Sequence, residues 1–291
     1  MTVRENFYNA VWGLGVRVLH LGKRAGVSGP FEHALMVGAN RLIPPPAEAV
    51  EVNIPLGMRM SIPPGFPRAR SYAAGLYERE VTELIQEIIQ EGMTIVDLGA
   101  FCGYYSLLAS RLTGSSGRVY AFEPHPANYA YLVKNAMANG CHNIIAVNKA
   151  VFSSTGTKAF AVHKEADHHW LSTVSVDGAS GTVPTVSLDD FFSEQGWPPV
   201  DIMKLDIEGG EKGALEGMRE LSRRNPGLRL IMEFDIHNLS RSGVAVGGLA
   251  ALLTELGFRT GYVIEQHLRP FSIAQSFPKS HATYDLLLTK E

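Results

Sequence analysis

Three places in the chain combine residue type and spacing in a way that suits ligand chemistry. The first is Asp97-Leu98-Gly99-Ala100-Phe101-Cys102-Gly103, which directly follows a short apolar run and directly precedes a helical one. Glycines in such a turn let the backbone approach a bound molecule, and doubly wound α/β folds bind nucleotides at the carboxyl ends of their parallel strands. Gly99 and Gly103 are four apart with Ala100 after the first. This is not the G-x-G-x-x-G spacing of a dinucleotide loop, so it weighs against a pyrophosphate cradle. A turn that serves only strand-to-helix packing is the plainer alternative. The second place is Glu123, which ends the next strand-like run 20 residues after Gly103. In such folds an acid at this distance accepts hydrogen bonds from the two hydroxyls of a ribose. Pro124 bars the strand from continuing, which sets the carboxylate at the strand tip. A surface acid or a helix cap is the alternative.

The third place is Lys204-Leu205-Asp206-Ile207-Glu208-Gly209-Gly210-Glu211. Alternation puts Lys204 and Asp206 on one face of a strand, and the glycines then open a helix whose N-terminus is electropositive. Glu208 and Glu211 suit that helix end, a plain electrostatic role that fits Glu211 better than Asp206 or Glu208. Asp206, Glu208, Glu233 and His237 fall at or just past the carboxyl ends of two successive strands, on the ligand side of the sheet, and are the candidates for a general base there. His237 has the ordinary pKa best matched to that task near neutrality.

The elements that must position these residues alternate regularly. Met93 to Leu98, Arg118 to Phe122, Ile144 to Val147, Ile202 to Leu205 and Leu228 to Phe234 read as strands. Between them lie helices over Tyr104 to Leu112, over the face Tyr129, Leu132, Val133, Ala136 and Met137, and over Glu211 to Leu221. A further helical face carries Leu249, Leu252, Leu253 and Leu256, and Arg79 to Gln90 forms a helix ahead of the first strand. Such alternation requires a doubly wound α/β fold with a mostly parallel sheet, here seven-stranded. Gly261 to Glu265 and Thr283 to Thr289 predict a terminal hairpin, with no helix between its strands, that adds one antiparallel strand. Val50 to Ile54 and Met58 to Ile62 predict a β-hairpin, and Pro44, Pro45 and Pro46 break the chain ahead of it. The expected organisation is an extension over residues 1–75 and a main domain over 76–291.

The run Asp97 to Gly103, the pair Glu123-Pro124, the segment Asn148-Lys149-Ala150-Val151 and above all Lys204 to Glu211 resemble the motifs of the FkbM family of methyltransferases that use S-adenosylmethionine (SAM). The resemblance covers about Tyr77 to Thr289 and implies a Rossmann-like methyltransferase fold with SAM as cofactor. It implies that Asp97, Gly99 and Gly103 border the methionine part, that Glu123 holds the ribose, that Ala150 and Val151 flank the adenine, and that Ala100 and Pro124 also belong to the cofactor site. Asp206 would lie beside the methionine amine or the substrate, Glu208 would also belong to the cofactor site, and Asp206, Glu233 and His237 are the candidates for catalysis. Phe101 departs from the family, which often has asparagine there. The implied acceptor is a hydroxyl of a sugar or natural-product small molecule; the competing readings are N-methylation, a SAM-binding module without turnover, and an NAD-dependent oxidoreductase. A divalent metal is compatible with the acids but not required by their spacing, and His163, His168 and His169 lack zinc-site spacing.

With 29 acidic against 26 basic residues the net charge is -3, which gives no field to draw a nucleic acid. The two cysteines, Cys102 and Cys141, read as reduced thiols of a cytoplasmic protein. Ala10 to Leu21 is apolar but interrupted by Arg17, which fits neither a signal peptide nor a spanning helix. An amphipathic N-terminal helix with Arg17, His20, Lys23 and Arg24 is expected, packing on its own domain, with contact to a membrane surface or a second subunit as the alternatives.

Overall fold

The structure is a computed structural model that describes residues 46–66, 68–73, 75–162, 169–171, 181–207, 209–236, 239, 244–265, 267–277 and 283–290. The expected N-terminal helix, His163, His168, Glu208 and His237 lie outside the described residues.

Strands β1 (Val50–Ile54) and β2 (Met58–Ile62) pair as the expected hairpin, followed by helices α1 (Ala69–Ala73) and α2 (Arg79–Ile88). Then come β3 (Thr94–Leu98), α3 (Tyr104–Thr113), β4 (Arg118–Phe122), α4 (Pro126–Ala138) and β5 (Ile144–Val147). The next stretch holds β6 (Ala150–Val151), β7 (Gly156–Val162), β8 (His169–Leu171), β9 (Gly181–Val186) and α5 (Leu188–Glu194). The chain continues through β10 (Ile202–Leu205), α6 (Glu211–Glu216), α7 (Arg219–Arg224), β11 (Arg229–Phe234) and α8 (Val246–Glu255). It closes with β12 (Thr260–Val263), β13 (Arg269–Ser272), α9 (Ile273–Ser276) and β14 (Tyr284–Thr289).

Among the described residues the main sheet has eight strands in the order β13-β12-β14-β11-β10-β3-β4-β5. Strands β5, β4, β3, β10 and β11 are mutually parallel, and β14 runs antiparallel between β11 and β12. This is the doubly wound α/β architecture, with one strand more than the expected seven and a second antiparallel strand, β13. Pro270 within β13 lacks a donor, which only an edge strand tolerates, and Gly261 of β12 leaves room for the Phe271 ring. A side chain there would meet that ring at 2.2 Å. The expected empty connection between the last two strands therefore holds β13 and α9.

Two further expectations are corrected. The helix predicted over Glu211 to Leu221 is divided into α6 and α7 at Gly217, where a Cβ would stand 2.3 Å from the Phe152 carbonyl oxygen. A second sheet, β6-β9-β7-β8, fills the stretch between β5 and β10 that the alternation pattern left unread.

Alternate strand residues feed two apolar layers, as burial on both faces demands. Val96, Leu98, Met203, Leu205, Leu230 and Met232 pack with α5 to α8 on one face. Ile95, Val119, Ile202, Ile231 and Leu287 pack on the other face with α2, α3 and the hairpin residues Val52, Ile54, Met58, Met60 and Ile62. The hairpin thus shares the core of the main sheet. Asn135 of α4 ties it there. Its Oδ1 accepts from the Ser61 N–H at 2.8 Å, and its Nδ2 donates to Ser61 O at 2.9 Å and to Cys102 O at 2.7 Å. The buried face of α4 accordingly runs through Asn128, Leu132, Asn135 and Ala136, while Met137, expected on that face, is 75% exposed. Asn135→Ala leaves these buried groups unpaired and is expected to cost about 3 kcal/mol, read from the urea midpoint. A loss below about 0.5 kcal/mol would show that the tie is dispensable.

Candidate active site

The carboxyl ends of β3, β4, β10 and β11, the β6 strand and the segment between the hairpin and α2 surround one open cleft with a cavity volume of about 120 Å³. Its floor is apolar, with Leu98, Phe122, Val151 and Ile207.

Gly99 makes the turn after β3 possible. Its φ is 85°, and a Cβ would stand 1.8 Å from the Asp206 carbonyl oxygen, so the turns after β3 and β10 touch backbone to backbone. The Asp206 N–H donates to Leu98 O at 3.1 Å and fixes that contact. Glu123 stands at the tip of β4, buried, where it lines the cleft. Its Oε2 accepts from the Phe101 N–H at 2.9 Å and its Oε1 from the His125 N–H at 2.8 Å, with Asn128 Nδ2 at 3.5 Å. Burial pushes its carboxyl up to about 7, against the pull of these hydrogen bonds. Asn148 Nδ2 donates to the carbonyls of Glu123 and Pro124, which holds the strand tip in place.

On β10, the buried Lys204 Nζ donates to Asp206 Oδ2 at 2.7 Å, lies 4.0 Å from Glu78 Oε2 and sits over the Tyr105 ring. Burial works against its charge, but Asp206, Glu78 and Asp97 outweigh it and raise its pKa. Asp206 and Glu233 face the cleft. Asp285 of β14 stands in register opposite Glu233, and its carboxyl is pushed up to about 7 by burial and then by Glu78, with Lys204 pulling the other way.

Of the residues marked in the sequence, Gly99, Glu123, Pro124, Ala150, Val151, Asp206 and Glu233 line the cleft together. Asp97, Ala100 and Gly103 lie behind its wall. Asp97 is buried and accepts from Ser106 Oγ at 2.6 Å, Ala100 donates its N–H to Phe122 O, and Gly103 starts α3 with φ 96°. Glu211 accepts from the Gly209 N–H at 2.9 Å, the local capping role expected of it. Sequence reasoning missed Phe66, Arg68 and Tyr77, which reach the cleft from outside the alternating βα pattern. Asn128, Lys149 and Asp285 were also missed; only Lys149, beside Ala150, had a signal in its neighbours. Phe101 adopts φ 50°, a region where asparagine is favoured and bulky residues are strained, and its ring packs 4.6 Å from Phe66. Among the described residues no group of three or more His, Cys, Asp or Glu is arranged to hold a metal ion.

A profile of the FkbM methyltransferase domain matches residues 97–260, more than half of the chain. The chain belongs to the FkbM methyltransferase family. Among the relatives of this FkbM protein is the hexuronic acid methyltransferase AglP of Haloferax volcanii, 30% identical over 142 residues. That match spans 48% of this chain and 56% of AglP. The 31-O-demethyl-FK506 methyltransferase FkbM of Streptomyces tacrolimicus is 24% identical over 200 residues, spanning 58% of this chain and 74% of that protein. Solved structures with a similar outline include a SAM-dependent O-methyltransferase from Thermotoga maritima, 16% identical with a TM-score of 0.42, covering 72% of this chain and 64% of that one. A second is the precorrin-6y C5,15-methyltransferase of Geobacter metallireducens, 13% identical with a TM-score of 0.41, covering 73% and 89%. No described helix is long and apolar enough to cross a membrane.

Proposed function

We propose that this FkbM-family chain is a SAM-dependent methyltransferase that acts on a hydroxyl of a sugar or natural-product small molecule, with residues 76–291 as the main domain and Phe66 and Arg68 of the preceding segment completing its cleft. The observation that carries the reading is the Glu123 carboxylate, fixed by two backbone N–H groups at the tip of β4 in the same cleft as Gly99 and Asp206.

The donor set fits the cofactor. Glu123 suits the ribose diol, the apolar floor with Ala150 and Val151 suits adenine, and the carboxylate Asp206 suits the positive sulfonium and amine. Bound SAM supplies an electrophilic methyl group. The chain has to align the acceptor, exclude water and receive the hydroxyl proton. Glu233, on the strand next to Asp206 and in the cleft wall, is assigned as the proton acceptor. Glu233→Gln is expected to lower kcat roughly 100-fold while the Kd for SAM moves by less than about threefold. An unchanged kcat assigns the proton to another group.

The test is calorimetric titration of SAM, with NAD as control, followed by acceptor trials with hexuronic acid glycosides and macrolide alcohols. These acceptors follow the substrates named for the two relatives. Saturable SAM binding without NAD binding supports the reading; a folded protein that binds no SAM overturns it.

A further inference from the structure

The cleft wall carries three carboxylates, Glu123, Asp206 and Glu233, and among the described residues its cations are Lys149 and Arg68. Lys149 is the neighbour of Ala150 on the β6 side. Arg68 enters from the opposite end of the sequence, in the segment that joins the hairpin to α1, and lies outside the stretch 97–260 that defines the family.

That segment is firmly placed. Gly65 N–H donates to Pro46 O at 2.7 Å, and the Arg68 carbonyl accepts from the Ser71 N–H at 2.9 Å, so the Arg68 backbone is anchored at the start of α1. On one side Phe66 packs its ring against Phe101 of the glycine turn, and on the other Tyr72 stacks on Tyr77 at 3.9 Å. Arg68 itself lines the cleft beside Phe66 and Tyr77. Unlike a lysine, an arginine presents a planar fork of donors that matches a carboxylate in two parallel hydrogen bonds. A carboxylate entering a wall of acids needs such a partner.

We infer that Arg68 is the carboxylate-recognising residue of the cleft. The inference rests on the proposed function, which offers two carboxylates: the one on the methionine part of SAM and the one on a hexuronic-acid acceptor. The glycine turn that carries Phe101 and borders Phe66 is where the methionine part is expected.

The experiment titrates SAM and decarboxylated SAM, which lacks only that carboxylate, into the wild-type chain, Arg68→Gln and Arg68→Lys, with circular dichroism and thermal melts to confirm folding. Methyl glucuronide and methyl glucoside are titrated in parallel with S-adenosylhomocysteine bound. A loss of at least about tenfold for SAM in Arg68→Gln, with decarboxylated SAM unchanged, is expected if the cofactor supplies the carboxylate. A similar loss for the glucuronide alone, with the glucoside unaffected, places it on the acceptor. Arg68→Lys retains part of the affinity in either case, because the charge stays and the fork is lost. Equal losses for SAM and decarboxylated SAM, or unchanged SAM affinity with glucuronide binding absent or equal in wild type and variant, overturn the inference. Failure of the wild type to bind any SAM instead overturns the function on which it rests.

Discussion

Gly99→Ala is expected to unfold at markedly lower urea concentration and to bind SAM at least 100-fold more weakly. Two separate costs act at this position. The residue sits at φ 85°, where a Cβ is strained, and the added Cβ would stand 1.8 Å from the Asp206 carbonyl oxygen. That neighbour is backbone, so relief requires the turns after β3 and β10 to move apart. Left-handed strain and overpacking are each worth about 1–3 kcal/mol, which gives roughly 2–6 kcal/mol together. The movement also breaks the Asp206 N–H to Leu98 O bond and shifts both cleft walls at once. Misplacing binding groups by about 1 Å costs on the order of 100-fold. Gly140→Ala is the control: φ is 65° but nothing lies within 4 Å of the added atom, so only the strain of about 1 kcal/mol is expected. Equal effects at the two positions would show that close approach is not what Gly99 provides.

The same contact explains what could be read in the sequence and what could not. Arg118–Phe122, Ile144–Val147 and Ile202–Leu205 are strands with the bounds the apolar runs predict, because each run is stopped by Gly, Pro, Asn or Asp. A parallel order then places their carboxyl ends together, and Gly99, Glu123, Ala150, Val151, Asp206 and Glu233 meet in one cleft. What escaped depends on contacts between segments distant in sequence. Gly217 ends α6 because Phe152 presses on it, and Asn135 is buried because it bonds to Ser61 and Cys102. Neither pressure leaves a periodic trace. The wall of Phe66, Arg68 and Tyr77 was missed for the same reason: these residues sit in irregular chain outside the βα repeat and are positioned by contacts distant in sequence, such as Phe66 on Phe101 and Tyr77 on Tyr104.

Glu123 carries a second large effect, and its sign follows from burial. Its carboxyl is held up to about 7 against an ordinary 4.5, so the folded chain binds this proton more tightly than the unfolded chain does. The associated stability, on the order of 3 kcal/mol, is complete below about pH 4.5 and is lost as pH rises through 7. Ligand binding runs the other way. A ribose diol donates to the carboxylate, so it selects the ionised form and releases a proton when it binds below pH 7. Adenosine, which carries the diol but no group that titrates in this range, is the suitable probe. Its affinity is expected to rise about tenfold per pH unit up to about pH 7 and to level off above it, with a matching proton release in calorimetry. In Glu123→Gln the pH dependence disappears and affinity falls roughly 100-fold to 10,000-fold. The amide cannot accept from both Phe101 and His125 while also receiving two hydroxyls, and each charged hydrogen bond is worth about 1.5–3 kcal/mol. Adenosine affinity that is flat with pH in the wild type, or equal in wild type and Glu123→Gln, would remove Glu123 from the ribose. In that case the buried carboxylate only braces the turn between β4 and α4, and Glu123→Gln should still lose stability through the unpaired N–H of Phe101 or His125.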